Sequence, residues 1–224
     1  MNLNSERVEY LTTILKLRES NKSVSNKILS QALSVAPSSV TEMLRKLKGD
    51  GLLASTDSIE LSDQGLEIAK DLISKHRLWE HFLTKTLKYT WEDVHKQAQL
   101  LQYNTGDKLF DKLNEFLSYP EFCPHGGRIY RNKNIIKKKN SLADGEIGQQ
   151  YTIESIFDET SLLCYMNKLD IHIGDTIKII GFAEFDQACR IEKESGQILD
   201  VSPKACSDIF IEPIPGQSHG TEQA

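Results

Sequence analysis

The chain has 224 residues, 39% of them hydrophobic and 26% charged, with a formal net charge of −5. These values are typical of a soluble protein of one or two domains, and no apolar run or signal peptide is visible, so we expect no membrane segment and a cytoplasmic location. The negative charge argues against nonspecific coating of nucleic acid but allows sequence-specific binding through a local basic face.

The N-terminal third has the element order of a winged helix-turn-helix. Hydrophobic residues at helical spacing predict a first helix over 6–19 and a short second helix over 26–33. Pro37 lies at the start of a third helix. Proline is favourable there because backbone N–H groups in the first helical turn have no acceptor within the helix. Two short extended runs within 52–62 predict a small hairpin. We therefore predict a DNA-binding domain over 1–72.

A helical domain is predicted next, over 73–129. A long helix begins at residue 62 and continues or restarts at Trp79, and two more helices follow. The last, over 105–117, has an apolar face that belongs either to the core or to a dimer seam, and we favour the seam because helix-turn-helix proteins bind DNA as dimers.

The C-terminal part has the pattern of a small β domain. Residues 130–148 contain little apolar sequence and predict a linker. Short strands interrupted by a helix over 161–169 predict an SH3-like barrel over 149–215. The polar end, 216–224, is predicted to be a disordered tail.

Two histidines and a carboxylate have the spacing of metal ligands. His76 and Glu80 are four residues apart and share a helix face, while His95 lies on the next predicted helix. A single helical histidine is more often structural, but three ligands at this spacing favour a metal. Imidazoles combined with carboxylates suit Mn²⁺, Fe²⁺ or Zn²⁺, and the affinity order alone favours Zn²⁺.

Five segments carry a resemblance to a known family: Glu9–Leu11, Pro37–Met43, Lys75–Leu78, Cys123–Gly127 and Asp170–Asp175. In this order and spacing, the chain resembles the diphtheria-toxin-repressor family of metal-dependent regulators, and most of all its three-part streptococcal and staphylococcal manganese/iron-responsive branch. The resemblance covers nearly the whole chain. It implies a mainly α fold with a small β domain: an N-terminal winged helix-turn-helix, a helical dimerisation domain and a C-terminal SH3-like (FeoA-like) β-barrel.

The third helix is then the recognition helix of a homodimer on a palindromic operator of double-stranded DNA. Its candidate DNA-binding residues are Pro37, Ser38, Ser39, Thr41, Glu42, Arg45, Lys46 and Lys48. Short polar side chains and cations suit base edges and phosphates. In the alternative interpretation, the serines only cap the helix and the cations form a solvated face. The hairpin is acidic where family wings usually carry a cation, so we expect weak wing contact with DNA.

The resemblance also implies a ligand set. His76, Glu80 and His95 match the family's ancillary metal site, which an acidic residue of the SH3-like domain completes. Asp158 is our first choice for that residue and Glu159 our second. We expect the cofactor to be a divalent metal, Mn²⁺ or Fe²⁺, with Zn²⁺ binding in vitro.

The family's primary metal site is altered in this chain. Its positions correspond to Glu9, Gln99, Gln102 and Tyr103. Glu9 is acidic, but at the other three positions the family usually has a carboxylate or thiol, a carboxylate and a histidine. Two neutral amides and a phenol with a pKa of about 10 add no negative charge. We therefore expect weak Mn²⁺ or Fe²⁺ binding here, and a neutral hydrogen-bonded cluster that holds the first helix instead.

The resulting functional prediction is a metal-responsive repressor, with metal-uptake genes as its targets, and not an enzyme. One alternative is a regulator of the same fold that has lost metal sensing and binds DNA constitutively or responds to redox or a partner. Another is a metal-buffering or transporter-interacting protein. Cys123 and His125 either add a metal contact or shape a turn, and we favour the turn. His81 is expected to be a surface residue.

Overall fold

The computed structural model of the chain describes residues 5–55, 57–91, 93–135, 139–157 and 159–214. They form two compact units. The first comprises Met1–Cys123 and Arg128–Lys138, and the second comprises Pro124–Gly127 and Lys139–Ala224. No helix within the described ranges has the length and hydropathy of a membrane span.

The first unit begins with the predicted winged helix-turn-helix. Its elements are α1 (Ser5–Glu19), α2 (Asn26–Leu33), α3 (Pro37–Gly49), β1 (Leu53–Ser55) and β2 (Glu60–Leu61), with the two strands antiparallel. The Ser25 hydroxyl caps α2 by accepting a hydrogen bond from the Ile28 N–H. Pro37 lies in the first turn of α3, as expected. The core consists of fully buried aliphatic side chains: Leu11, Ile14, Leu15, Leu29, Leu47 and Leu52.

Three further helices complete the first unit: α4 (Asp63–Lys85), α5 (Val94–Gln102) and α6 (Asp107–Phe116). The sequence left open whether α4 breaks near Trp79, and the structure shows one continuous helix. Gly65, in the first turn of α4, packs against Leu52, the residue before β1. A Cβ added at Gly65 would lie 2.1 Å from the Leu52 carbonyl oxygen. This close approach requires glycine and lets α4 pack directly against the chain that leads into β1.

The apolar face of α6 is divided between core and surface. Phe110 and Leu113 pack with Leu78 of α4 in a buried cluster. Leu109 and Phe116 remain 48% and 66% exposed. The predicted face therefore serves the core in part, and only its outer residues are available to a second chain.

The second unit is an antiparallel sheet with two short helices. Its elements are β3 (Asn140–Ser141), a 3₁₀ turn (Leu142–Asp144), β4 (Gln150–Ile156), α7 (Thr160–Lys168), β5 (Thr176–Phe182), β6 (Cys189–Lys193), β7 (Ile198–Val201), α8 (Pro203–Cys206) and β8 (Ile209–Pro213). The strand order is β3-β8-β4-β5-β6-β7. Alternate residues of the central strands, such as Ile177 and Ile179, fill the core.

One detail of this unit differs from the sequence prediction, and another agrees with it. β3 and the 3₁₀ turn lie in the stretch expected to be a linker, because β3 pairs with β8 and Leu142 is fully buried. The segment Pro124–Gly127 forms the favoured turn: Gly126 has φ +75°, and a Cβ there would lie 2.3 Å from the Glu154 carbonyl oxygen. The Ile156 N–H donates to the His125 carbonyl at 3.1 Å.

Candidate metal centre and recognition helix

Three donor atoms from two helices meet in the interior of the first unit. His76 and Glu80 lie one turn apart on α4, and His95 lies in the first turn of α5. His76 Nε2 is 3.0 Å from Glu80 Oε1 and 3.1 Å from His95 Nδ1. His95 Nδ1 is 3.1 Å from the same carboxylate oxygen. The predicted spacing therefore places two ring nitrogens and one carboxylate oxygen at the corners of a near-equilateral triangle.

The size of this triangle fits a divalent metal. Metal–ligand bonds of about 2.1 Å place neighbouring octahedral ligands about 3.0 Å apart and tetrahedral ligands about 3.4 Å apart. The observed separations of 3.0–3.1 Å are hydrogen-bond distances, and they also lie in the range that lets one ion reach all three donors. Two imidazoles and a carboxylate are also a donor set that Mn²⁺ and Fe²⁺ accept. The residues present thus fit the predicted metal in both chemistry and spacing.

Burial prepares His76 to act as a ligand. His76 is 4% exposed and Glu80 is fully buried. Loss of solvation lowers the pKa of His76, against the opposing effect of the Glu80 charge. The imidazole is therefore neutral at neutral pH, the form that coordinates metals.

A fourth donor of the same unit lies near this carboxylate. The Cys123 sulfur is within 4.8 Å of a Glu80 carboxylate oxygen, and both side chains are buried. The segment before it is held by His81, whose Nδ1 is 3.0 Å from the Phe122 carbonyl oxygen. His81 is half-buried, so it lies at the surface but is engaged in this contact. Sequence spacing alone does not show this contact, because the two residues lie 41 positions apart.

The predicted ligand from the β domain stays a prediction. Asp158 lies outside the described residues. Glu159 precedes α7, and its carboxylate accepts a hydrogen bond from the Ser161 hydroxyl at 2.5 Å. This bond uses one carboxylate oxygen and leaves the other for a metal, so both candidates stay predictions, with Asp158 as the first choice.

We expect Asp158→Ala to weaken Mn²⁺ binding by at least about 10-fold, whereas Glu159→Ala, which removes a carboxylate already bonded to Ser161, changes it by less than about two-fold. Competition with a fluorescent chelator measures both affinities. The reverse order would assign the ligand to Glu159, and no effect of either variant would remove the β domain from the ligand set.

The residues of the altered primary site lie together around the Glu9 carboxylate. The Gln99 amide donates to Glu9 Oε1 at 3.2 Å, connecting α5 to α1. Burial and the Glu9 charge raise the pKa of Tyr103, and hydrogen bonds with Gln102 and Gln99 act in the opposite direction. Among the described residues, no group of three His, Cys, Asp or Glu side chains surrounds Glu9. Hydrogen bonds thus join α1 and α5 at the positions that the resemblance assigns to the primary metal site.

Restoring the charge should restore a second metal. We expect Gln99→Glu/Gln102→Glu to raise the Mn²⁺ content by one ion per chain and, in chelator, to lower the thermal midpoint because the new carboxylates repel Glu9. Elemental analysis after gel filtration gives the stoichiometry. The control Gln97→Glu/Asn104→Asp adds the same charge at exposed positions and should bind no extra ion. An equal gain in both variants would mean nonspecific binding.

All eight predicted DNA-binding residues of α3 are exposed. Two of the cations are already engaged: Lys46 pairs with Glu42 at 2.7 Å, and Lys48 bonds to the Ala54 carbonyl oxygen of β1. Arg45 makes no hydrogen bond or ion pair with any described residue. Arg45 is therefore the cation of this helix that is most available to a phosphate.

Three family models match consecutive parts of the sequence. The N-terminal DNA-binding domain of the iron-dependent repressors matches residues 2–57. The metal-binding and dimerisation domain of the same proteins matches residues 62–131. The FeoA domain matches residues 140–213. Together they cover the helix-turn-helix, the helices with the donor triangle and the β domain.

Individual proteins of this kind are also similar to the chain. The iron-dependent repressor IdeR of Mycobacterium tuberculosis is 28% identical over 122 residues, which are 54% of this chain and 53% of that protein. The chain thus matches about half the length of its curated relatives. Over 96% of this chain and all of the other, the solved manganese regulator SloR is 32% identical with a TM-score of 0.82. The solved structure of ScaR with bound Cd²⁺ is 31% identical, with a TM-score of 0.81. The match covers 93% of this chain and 99% of ScaR. The chain therefore belongs to the diphtheria-toxin-repressor family of metal-dependent repressors, a family of transcription regulators and not of enzymes.

Proposed function

We propose that this protein is a cytoplasmic transcriptional repressor whose affinity for DNA is set by a divalent ion at His76, Glu80 and His95. The observation that carries the proposal is the triangle of donor atoms, 3.0–3.1 Å on each side, on the two helices that follow the DNA-binding domain. SloR is described as a manganese regulator, and two imidazoles with a carboxylate agree with Mn²⁺ or Fe²⁺ as the physiological ion. Zn²⁺ is expected to bind in vitro.

One helix of the metal centre, α4, is joined to the DNA-binding domain by a buried ion pair. Arg77 follows His76 on α4 and donates to both carboxylate oxygens of Glu19, at the end of α1, at 2.8 and 2.7 Å. The Tyr130 hydroxyl donates to the same carboxylate. A bidentate pair of this kind fixes orientation as well as distance. The positions of α1 and α4 are therefore coupled.

Metal control follows from this coupling. His76, Glu80 and His95 would hold a divalent cation, which would balance the Glu80 charge and accept a lone pair from each imidazole. Shared ligation by these residues would fix α4 relative to α5. Because Arg77 of α4 is bonded to Glu19 of α1, the position of α1 would then be restricted too. Restricting these helices shifts the population toward arrangements in which α3 meets the major groove. We also propose that the target genes serve metal uptake. A repressor that binds DNA when its metal is plentiful would then switch off further uptake of that metal.

The exposed apolar side chains of the helical region support a homodimer. Leu87, Leu100, Leu109 and Phe116 are 48–66% exposed, and all lie in the region matched by the dimerisation-domain family model. A two-fold dimer would present two α3 helices to a palindromic operator.

We expect Phe116→Glu to weaken dimerisation by at least about 10-fold, because burying one large apolar side chain contributes about 1.5–3 kcal/mol per subunit and the charge adds a desolvation cost. Sedimentation velocity across a concentration series measures the shift. Ile198→Glu, at a similarly exposed position of β7 (57% against 66%), is the control and should leave the dimer intact. Equal behaviour of the two variants would move the interface away from α6.

A second candidate function is favoured by the hydrogen-bonded cluster around Glu9. The Gln99–Glu9 hydrogen bond connects α1 and α5 without an ion. DNA binding would then be partly constitutive, and the protein would respond to redox or a partner. DNA affinity that does not change between chelator and Mn²⁺ distinguishes this candidate.

The experiment that tests DNA binding itself is selection from a randomised duplex pool, carried out in Mn²⁺ and in chelator. The proposed function predicts that a palindromic sequence is enriched in Mn²⁺ and less so in chelator. Equal enrichment supports the second candidate. If neither pool is enriched although the protein binds Mn²⁺ tightly, the chain is not a DNA-binding repressor.

A further inference from the structure

The Thr41 hydroxyl on the recognition helix is engaged within the DNA-binding domain. It donates its hydrogen to the Pro37 carbonyl oxygen, one turn earlier, at 3.1 Å. It accepts a hydrogen bond from the side-chain amide of Asn26, the first residue of α2, at 2.8 Å. The same amide nitrogen donates to the Pro37 carbonyl at 3.2 Å. Three groups from α2 and α3 therefore form a closed arrangement around one hydroxyl.

This arrangement restricts what Thr41 can offer to DNA. A hydroxyl has a single hydrogen, and here Pro37 accepts it. Phosphate oxygens are acceptors only, so Thr41 cannot bond to them without breaking the internal bond. The hydroxyls of Ser38 and Ser39, which precede it on α3, make no hydrogen bond to any described residue and are exposed. Phosphate contact therefore falls to the serines and to Arg45.

Besides one lone pair of its oxygen, Thr41 still presents its methyl group. Thr41 is exposed on the helix surface, and its oxygen is directed back at the preceding turn. Threonine in a helix divides between two χ1 rotamers, of which one places the hydroxyl on the carbonyl four residues earlier. The second bond, from Asn26, stabilises that rotamer. The methyl group is thus held in one position on the side of α3 expected to enter the major groove.

We propose that Thr41 recognises thymine through contact between its methyl group and the C5-methyl of the base. Of the four bases, only thymine presents a methyl group in the major groove. Asn26 is a positioning residue in this proposal, since it acts on DNA only through the rotamer of Thr41. The inference rests on the proposed function, because it assigns the chemistry of one residue in the DNA interface.

The test uses the duplex that the wild-type chain selects from a randomised pool in Mn²⁺. Each thymine is replaced in turn by deoxyuridine, which keeps the base pair and removes only the methyl group. We expect one position in each half-site at which this change weakens wild-type binding by about four-fold, the effect of one buried methyl group.

Two variants of Thr41 separate the methyl from the hydroxyl. Thr41→Val keeps a methyl group and should keep the preference for thymine over deoxyuridine at that position, whatever its overall affinity. Thr41→Ser keeps the hydroxyl and should lose the preference. Asn26→Ala should reduce the preference without changing the salt dependence of binding, because no phosphate contact is removed.

Three results would overturn the proposal. One is a preference that survives in Thr41→Ser, and another is a preference lost in Thr41→Val, which would assign recognition to the hydroxyl. The third is a uniform loss of affinity in Thr41→Val with a flatter salt dependence, which would make Thr41 a phosphate contact. Failure of the pool to yield any sequence would instead refute the proposed function, and this inference with it.

Discussion

Replacing Glu80 with glutamine is expected to remove the response of the protein to Mn²⁺. Glu80 supplies the only carboxylate of the triangle and is fully buried, so its charge is the main electrostatic attraction for a cation there. We expect the affinity for Mn²⁺ to fall by at least about 100-fold. Losing a residue that only hydrogen-bonds to a ligand costs up to about 100-fold, and losing a ligand itself should cost at least as much.

Thermal unfolding separates this loss from misfolding. At an ion concentration of 100 times the dissociation constant, the wild type gains about 2.7 kcal/mol of stability, and Glu80→Gln should gain almost none. In chelator the variant should be as stable as the wild type or more so, because a buried carboxylate has been replaced by a neutral amide. Glu67→Gln, on the exposed face of α4, is the matched control. A normal Mn²⁺ shift in Glu80→Gln would exclude the triangle as the metal centre.

Replacing Arg77 with methionine is expected to cost about 3–5 kcal/mol of unfolding free energy, because it leaves the Glu19 carboxylate buried without its guanidinium. The side chains are only 6% and 13% exposed, so solvent screens the pair little. Urea unfolding measures the loss, and the double variant Arg77→Met/Glu19→Leu should recover most of it.

The matched control for this change is Arg190→Met, which removes the bidentate pair with Asp200 on the surface of the β domain, where the side chains are 54% and 51% exposed. An exposed pair contributes at most about 1 kcal/mol. Similar losses in the two arginine variants would show that Arg77 does not couple α1 to α4.

Much of the architecture could be predicted because local patterns decide it. Helical spacing and Pro37 placed the helix-turn-helix, and alternation in strands such as β5 predicted the β domain. The donor triangle was predictable for a related reason: His76 and Glu80 lie one turn apart on one helix, so only His95 had to be brought in by tertiary packing.

Features that depend on distant contacts were not predictable. β3 has two residues and α8 four, too few for any periodicity. The apolar pattern of α6 could not show that Phe110 faces α4 while Phe116 faces outward. The bond of His81 to Phe122, and that of Asn26 to Thr41, join residues far apart in sequence. These bonds decide what each side chain does. His81 holds the backbone at Phe122, next to Cys123, and the Thr41 hydroxyl is already engaged within the protein.

The most direct test of metal control is fluorescence anisotropy of the selected duplex, titrated with protein in chelator and then in Mn²⁺. For the wild type we predict binding that is about 5–150-fold tighter in Mn²⁺, the usual range for coupled sites. His76→Ala should bind equally weakly in both conditions, whereas His172→Ala, an exposed histidine of the β domain, should behave as the wild type. Equal wild-type affinity in chelator and Mn²⁺ would contradict the account, and the hydrogen-bonded cluster of Glu9 and Gln99 would then hold the DNA-binding conformation without metal.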